Sequence, residues 1–266
     1  MSIVTGGRLG FVTFAGTVLG LALFGSLLAP HDPTAPLGAP WSPSGGVNLL
    51  GTDALGRDVL SRVLAGGRHL TLTAGAAALV AAAIGIAGGL LAGWHDGPLS
   101  RLLHAAADLL LAVPLLLIAL VFAVTLPGAV AVIAATVCGG APLTLRIVGD
   151  AVRQVRHAGF VDAALGCGES GPRILGREIL PAVAALAGSE IGVRFVVALQ
   201  LAAALSLFGL GPAPPAPDWS AMIRENVSGA ALSPAALIAP AIALAVLSLT
   251  VAVVGNAAAR HARRPL

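Results

Sequence analysis

The chain has 266 residues, of which 57% are hydrophobic and only 10% are charged. A soluble domain carries about 25% charged residues, so this composition excludes a water-soluble protein and places the chain in a lipid bilayer. All 15 basic residues are arginines and the formal net charge is +3, a surplus that we attribute to the orientation of the loops, with no nucleic-acid partner expected.

The first predicted membrane span is the apolar run from Leu9 to Ala29, whose length suits a hydrocarbon core about 30 Å thick. Arg8 precedes this run, so a signal peptide is the alternative. The run is too long for the apolar region of a signal peptide, and Pro30 directly follows the only plausible cleavage residue. We therefore expect a retained span, followed by an irregular, proline-rich loop over residues 30–50.

In the residues after this loop, apolar and polar side chains recur with the period of a helix. Apolar side chains recur at Leu55, Val59, Leu60, Val63 and Leu64, with Asp58, Ser61 and Arg62 between them. This pattern predicts an amphipathic helix at the membrane interface. We accordingly divide the chain into an N-terminal region (1–69), a membrane core (70–257) and a basic tail (258–266).

The second predicted span, Leu70 to Gly93, carries a strip of glycines. Gly85, Gly89 and Gly93 are spaced by four residues and therefore lie on one helix face. Small residues at this spacing favour the close approach of another helix. Chance is the alternative, since 34 of the 266 residues are glycine.

Further apolar runs predict the remaining spans, at Leu102–Thr125, Ala129–Ile147, Pro181–Leu207 and Pro234–Ala257. A second proline-rich loop, over residues 212–219, precedes the last of them. The resulting six spans place both termini on the same side of the membrane.

Arginine is distributed unevenly between the two sides. The side of the termini carries Arg8, Arg101, Arg146, Arg153, Arg156, Arg173, Arg177, Arg260, Arg263 and Arg264, whereas the opposite side carries Arg57, Arg62, Arg68 and Arg224. Excess arginine in short loops marks the cytoplasmic face. We therefore predict that the termini and residues 149–180 are cytoplasmic and that the proline-rich loops face outward.

Charged side chains within spans are costly and indicate function. Glu190 and Arg194 are spaced i, i+4 in the fifth span, so they meet on one helix face. They either line a polar pathway or lock two helices together. For Asp108, near the cytoplasmic end of the third span, we expect a structural role in which it is paired with arginine or hydrated.

The sequence contains no motif of an enzyme. A nucleophile elbow, a zinc-protease motif, a glycine-rich phosphate loop and a Cys/His cluster are all absent. We therefore expect no catalytic residue, metal or cofactor on this chain. If ATP drives its action, another subunit must supply the hydrolysis.

The longest polar interruption runs from Phe160 to Pro181. Its first part, Phe160 to Gly168, predicts a short helix with Asp162 in the first turn, where the helix dipole favours a carboxylate. Ala163 and Ala164 give this helix a smooth face for docking.

Two further features shape this interruption. Gly168 permits a sharp turn after the short helix, because it has no Cβ. A second helical piece from Arg173 to Leu180 leads to Pro181, which suits the first turn of the fifth span. A short helix rooted between two spans is a sound mechanical coupler.

This interruption resembles the EAA loop of permease subunits of bacterial ATP-binding-cassette importers, in which Glu-Ala-Ala is followed by Gly six residues after the Glu and the loop ends in His-x-Leu-Pro. The matching residues are Asp162, Ala163, Ala164, Gly168, Glu178 and Pro181. Asp replaces the usual Glu, and Glu178 stands where the family often has His.

Two outer-loop stretches are similar to the C-type permease of dipeptide, oligopeptide and nickel importers. The first comprises Gly51, Thr52, Asp53, Gly56, Arg57 and Asp58; the second runs from Leu205 to Met222 and includes Trp219. Ala202 stands where that subfamily usually carries Glu. Together the similarities cover about residues 48–256.

The resemblance implies an all-α type I importer permease with a cytoplasmic coupling helix in the bacterial inner membrane. Its partners would be a homologous permease, one or two ATPase subunits that bind ATP and Mg, and an external solute-binding protein. The expected solute is a peptide, with nickel, glutathione or haem as alternatives. A secondary carrier is a rival, but such a carrier is expected to show broken helices or intramembrane carboxylates, and apart from Asp108 and Glu190 we expect this chain to lack both. A scaffold leaves the outer-loop motifs unexplained.

Overall fold

A computed structural model of the chain describes the backbone of residues 2–262 and the side chains of residues 13–255 and 257. Within these residues it contains helices and no strand, so the predicted all-α class is confirmed. Arg8 and the arginines of the predicted tail, Arg260, Arg263 and Arg264, lie outside the described side chains. The helices are α1 (Ser2–Phe24), α2 (Val59–Trp94), α3 (Pro98–Leu111), α4 (Leu115–Thr125), α5 (Gly128–Arg156), α6 (Gly159–Gly166), α7 (Gly171–Leu207), α8 (Trp219–Asn226) and α9 (Pro234–Ala262).

The contacts of the chain divide it into two compact units. The first unit consists of the chain up to Ala74 together with Leu199–Val251, and it holds both proline-rich loops. The second unit consists of Gly75–Ala198 and the chain from Ala252 onward, and it holds the polar segment 149–180.

Within the described residues, four helices are long and apolar enough to cross a membrane: α2, α5, α7 and the first part of α9. The bent pair α3 and α4 makes a fifth if it is counted as one span. The described part of the first predicted span is a shorter apolar helix, Thr13–Leu28. The predicted multi-pass arrangement is therefore present.

The third span is not the single helix that was predicted. It consists of α3 and α4, which are bent by 81° relative to each other. The break falls at Pro114, which has no amide hydrogen and disfavours helical geometry at Val113 before it. The expectation that this chain lacks broken helices was therefore wrong, and this argument against a secondary carrier fails.

The amphipathic segment after the first loop is not a separate helix. It is the start of α2, which begins at Val59 rather than at Leu70. Asp58 caps this end, since its Oδ2 accepts hydrogen bonds from the amide of Ser61 at 2.9 Å and its hydroxyl at 2.6 Å. The polar side chains of this turn, including Arg62, are buried and do not form a water-facing stripe.

The glycine strip of α2 contacts α5, as its spacing predicted. A Cβ at Gly89 would lie 2.8 Å from the carbonyl oxygen of Leu145, and one at Gly93 would lie 2.5 Å from the carbonyl oxygen of Gly149. No larger residue fits without moving the helices apart. Chance is therefore excluded as the explanation of this spacing.

The helices on both sides of the polar segment are longer than predicted. Helix α5 continues past Ile147 to Arg156, and α7 begins at Gly171 rather than at Pro181. Pro181 lies inside α7, directly after a π turn at Leu175–Ile179 and one α-helical residue. Such a turn accommodates a residue that has no amide to donate.

Candidate functional site

The short helix predicted in the polar segment is present as α6, Gly159–Gly166. Its Val161 is fully buried in an apolar cluster, and Ala164 packs against that cluster. The cluster comprises Val148, Val152, Val161, Ile174, Ile179 and Val183. Asp162 and Ala163 point away and are exposed. Helix α6 is therefore anchored along one face and free along the other.

Gly168 ends this helix in the conformation that only glycine adopts without strain. Its φ is +79°, in the left-handed region. The amide of Gly168 donates to the carbonyl of Leu165 at 3.0 Å, and the amide of Glu169 donates to the carbonyl of Ala164 at 3.1 Å. These two bonds form a Schellman motif, which fixes the direction in which the chain leaves α6.

The remaining residues matched to the coupling loop lie on α7. Glu178 is exposed within the π turn, and Pro181 is exposed shortly after it. Ile179 between them is fully buried in the same apolar cluster as Val161. The start of α7 therefore packs against α6 through this apolar cluster, while its own Glu178 side chain is exposed.

Glu190 and Arg194 form the ion pair that their spacing predicted, with 2.9 Å between Oε2 and Nη2. Both side chains are buried, and the hydroxyl of Thr144 on α5 donates a hydrogen bond of 3.0 Å to Oε2 of Glu190. A Cβ at Gly140 of α5 would lie 3.0 Å from Cδ of Arg194. The pair is therefore enclosed between α7 and α5 in this conformation.

Asp108 pairs with an arginine of a neighbouring helix. Its carboxylate contacts the guanidinium of Arg146 on α5, and both side chains are exposed. This matches the expectation of a paired or hydrated carboxylate. The contact joins α3 to α5 just before the break at Pro114.

The first outer-loop stretch forms a buried cluster of charges. Asp53 accepts from Nε of Arg57 at 2.8 Å and also pairs with Arg62, and all three are at most 2% exposed. Both arginines reach Glu225 as well, at 2.9 and 3.1 Å. Burial alone would raise the pKa of Asp53, but the amide of Arg57, the charge of Arg62 and the amide of Leu55 together lower the pKa below its ordinary 3.8.

The residues that complete this cluster lie far along the chain. Asn226 is buried; its Oδ1 accepts from Nε1 of Trp41 at 3.2 Å and from the amide of Ala54 at 2.9 Å. Glu225 and Asn226 therefore join the second proline-rich region to the first. Sequence reasoning missed both residues because local periodicity carries no signal of so distant a pairing.

The other residues of the first stretch set the path of the loop. Gly56 has φ +73°, and a Cβ there would lie 2.1 Å from the carbonyl oxygen of Gly38. Gly51 is in the same conformation. The hydroxyl of Thr52 donates to the carbonyl of Ala39 at 2.7 Å and accepts from the amide of Ser42 at 2.8 Å.

Trp219 of the second stretch is buried at the start of α8. Its Nε1 donates to the carbonyl oxygen of Val63 at 2.7 Å, and its ring lies against Gly66 and Gly67 of α2. Asp218 caps α8 by accepting from the amide of Ser220 at 3.0 Å, and from the next amide. The two outer-loop motifs are therefore parts of one packed structure.

The sequence matches a family model over much of its length. The model is that of the binding-protein-dependent transport system inner membrane component, and it matches residues 85–264. This range includes the polar segment, the bent pair α3 and α4, and the buried pair of α7. The chain belongs to this family.

Curated relatives agree with this assignment. The permease is 34% identical over 209 residues to the glutathione transport system permease protein GsiD of Pectobacterium atrosepticum, a match that covers 78% of the permease and 69% of the relative. It is 34% identical over 228 residues to the di/tripeptide transport system permease protein DppC of Pseudomonas aeruginosa, covering 82% and 75%. The permease is therefore a multi-pass inner membrane protein of the importer class that the motifs indicated.

The fold also matches that of a solved transporter. An inward-facing structure of the MetNI methionine ABC transporter contains a chain that aligns with the permease at a TM-score of 0.56 and 16% identity. The match covers 74% of the permease and 95% of that chain. The predicted type I importer permease fold is confirmed.

Proposed function

We propose that this permease forms half of the translocation pathway of an ATP-driven importer and works by alternating access. The other half is a homologous permease, and one or two cytoplasmic ATPase subunits bind ATP and Mg. An external solute-binding protein delivers the solute. The family and the named relatives support this assembly. The permease itself carries no catalytic residue, and both of its termini are cytoplasmic.

One observation carries the coupling role of α6. Its Val161 face is rooted in an apolar cluster of α5 and α7, while Asp162 and Ala163 face solvent. A free helix face on a rigid base suits the docking of a partner subunit. Gly168 fixes the exit of the helix, and Glu178 and Pro181 at the start of α7 are also exposed to a partner, whereas Ala164 acts as a packing residue.

The transport cycle alternates between an inward-facing and an outward-facing conformation, and ATP bound at the distant ATPase subunits shifts the equilibrium between them. ATP binding closes the two ATPase subunits, and α6 transmits this closure to the spans on either side of it, so that the cavity opens outward. Solute enters from the binding protein, and hydrolysis restores the inward-facing state. The ATPase subunits shift the equilibrium only by contacting α6 differently in the two states.

The buried charges have positioning roles in this mechanism. Glu190 and Arg194 lock α7 to α5, since both are buried and Thr144 of α5 donates a hydrogen bond to Glu190. The cluster of Asp53, Arg57 and Arg62 gives the outer loops a fixed shape on which the binding protein docks. Asp108 ties α3 to α5 in the same way.

The solute is a di- or oligopeptide, and glutathione, itself a tripeptide, is the alternative. The names of the two relatives support both. Selection lies mainly in the external binding protein, so the test is to purify the cognate binding protein from its host and to identify the bound ligand by mass spectrometry. Short peptides support the proposal, whereas a nickel complex, haem or another non-peptide ligand refutes the substrate class.

The coupling role is tested by Ala163→Arg in the complete transporter in proteoliposomes. Arginine at this exposed position obstructs docking of α6 without disturbing the apolar cluster. We expect stimulation of ATP hydrolysis by the loaded binding protein to fall at least about tenfold, while the permease remains in the membrane. Arginine at exposed Gly168 should lower stimulation as well, although it also strains the turn that ends α6, so Ala163→Arg is the decisive variant. Normal stimulation in Ala163→Arg would refute the coupling role.

A further inference from the structure

One aromatic residue contacts the chain on both sides of α6. Trp94 is the last residue of α2, and its ring lies against Gly171, where a Cβ would be 3.2 Å from Cζ2. The guanidinium of Arg156 lies over the same ring, 5.7 Å from its centroid. Arg156 is the last residue before the turn into α6, and Gly171 is the first residue of α7 after it.

Further contacts hold this arrangement in place. Nη1 of Arg156 lies 2.7 Å from Oδ2 of Asp96, in the turn that follows Trp94. The indole also packs against the edge of the apolar cluster that buries Val161 of α6. The ring therefore contacts a cation, the bare backbone of Gly171 and apolar side chains.

We propose that Trp94 is a positioning residue that sets the orientation of α6 relative to α2 and α5. The proposal rests on the proposed coupling role of α6. The ring contacts Arg156 before the α6 segment and Gly171 after it, so it ties together the two points between which residues 157–170 are held. We expect a displacement of α6 by a docked ATPase subunit to reach the end of α2 through these two contacts.

Gly171 is the position that isolates this contact. A valine there pushes directly against the indole, whereas the Cβ position of Gly176 on the same helix has nothing within 4 Å. Trp94→Leu removes the ring from both neighbours and leaves the buried cluster of Val148, Val152 and Val161 complete. Neither Trp94 nor Gly171 belongs to the exposed face proposed to touch the ATPase.

The experiment compares these variants in the complete transporter in proteoliposomes, with basal ATP hydrolysis, stimulated hydrolysis and ATPase co-purification measured together. We expect Gly171→Val to lower the stimulation about fivefold or more at unchanged co-purification, and Gly176→Val to leave it near the wild-type value. The double variant Gly171→Val/Trp94→Leu should be no worse than Trp94→Leu alone, because the added valine side chain then has no ring to displace. Trp94→Phe, which keeps an aromatic face beneath Arg156, should retain more stimulation than Trp94→Leu.

Three results would overturn the positioning role: full stimulation in Gly171→Val, equal losses in Gly171→Val and Gly176→Val, or losses that multiply in the double variant. If Gly171→Val does not assemble, Gly171→Ala, whose single methyl meets the ring at 3.2 Å, replaces it in the same comparison. Ala163→Arg separates the two proposals. Loss of stimulation in Ala163→Arg but not in the Trp94 and Gly171 variants refutes only the positioning role, whereas full stimulation in Ala163→Arg refutes the coupling role itself.

Discussion

Two regions differ in where their charged side chains lie: the outer-loop cluster of the first unit (Asp53, Arg57 and Arg62) and the proposed coupling segment of the second unit (residues 149–180). In the cluster, Asp53, Arg57 and Arg62 are buried, and Asp53 pairs with both arginines. In the coupling segment the buried groups are apolar, and charged residues such as Asp162 and Glu178 face solvent. Buried charges demand one geometry, because a small displacement leaves a charge unpaired. A helix that packs through one apolar face is held in place, and its exposed polar face stays available to a partner.

The largest effect that we expect is on stability, from Asp53→Asn. This change removes the fully buried one of the two carboxylates that Arg57 and Arg62 share and leaves both cations on Glu225 alone, at a cost of about 3–5 kcal/mol in the free energy of unfolding. Asp32→Asn is the matched control, because Asp32 is an exposed residue of the same loop whose hydrogen bonds go to its neighbours Thr34 and Ala35; it should destabilise the protein far less than Asp53→Asn does. Unfolding in detergent measures both, and equal losses would contradict a structural role of the cluster.

The pH dependence of the Asp53→Asn effect provides a second check. The pKa of Asp53 is lowered in the folded state, so the carboxylate stabilises the protein fully above its ordinary pKa of 3.8, and this contribution is lost as pH falls through the lower, folded value. The stability difference between wild type and Asp53→Asn should thus be constant from about pH 8 to pH 5 and shrink only below about pH 4. A difference that already shrinks near neutral pH would contradict this account.

Glu190→Gln tests whether loss of a buried carboxylate destabilises the second unit as well as the first. Arg194 then remains buried opposite a neutral amide, which should cost about 1.5–3 kcal/mol. Glu178→Gln, on the exposed surface of the same helix, is the control and should change stability by less than about 0.5 kcal/mol. A Glu190→Gln protein as stable as wild type would show that the pair does not lock α7 to α5. Wild-type uptake and assembly in alanine variants of both residues would exclude a pathway role as well.

Two neighbours on α6 should separate anchoring from docking. Val161→Ala removes two methyl groups from the buried cluster and should cost about 1.6 kcal/mol of stability. Phe160→Ala, at a side chain that is 47% exposed, should leave stability almost unchanged and reduce the stimulated ATPase rate instead. Thermal unfolding and stimulated hydrolysis measured on both variants test this. The reverse pattern would mean that α6 docks through the opposite face.

The smallest expected effect comes from the end of α6. Gly168→Ala forces a side chain into the left-handed region, at a cost of about 1–2 kcal/mol. Gly166→Ala is the control, because Gly166 is helical and nothing lies within 4 Å of its Cβ position. That change should stabilise the helix by about 0.5–1 kcal/mol. Opposite signs in one unfolding assay support the Schellman turn, and equal signs contradict it.

The sequence predicted those features that depend on local pattern. The apolar runs predicted membrane-spanning helices. The polar interruption predicted α6 to within two residues, and the i, i+4 spacing predicted the ion pair of Glu190 and Arg194. The glycine strip of α2 indicated a close helix contact, although not that α5 provides it. In each case the signal and the structure lie on the same helix.

Other features depend on distant partners or on competition between local signals. Burial of Asp53 and Arg62 requires Glu225, which lies more than 160 residues away, so periodicity alone favoured a water-facing stripe. The break at Pro114 had a local signal, but the uniform apolar character of the run outweighed it. The early start of α7 was signalled by Ser170 and Pro172 at its first turn and was masked by the proline at 181.

The central claim, that α6 docks on an ATPase subunit, is tested most directly by photo-crosslinking. Benzoylphenylalanine at Phe160 replaces one exposed aromatic ring by another on α6, and the same substitution at Phe208, an exposed phenylalanine just after α7 in the first unit, is the matched control. Irradiation of the complete transporter should join the permease to an ATPase subunit from position 160 and not from position 208, with a yield that changes when ATP is added. Absence of an ATPase adduct at position 160, or equal adducts at both positions, would contradict the account.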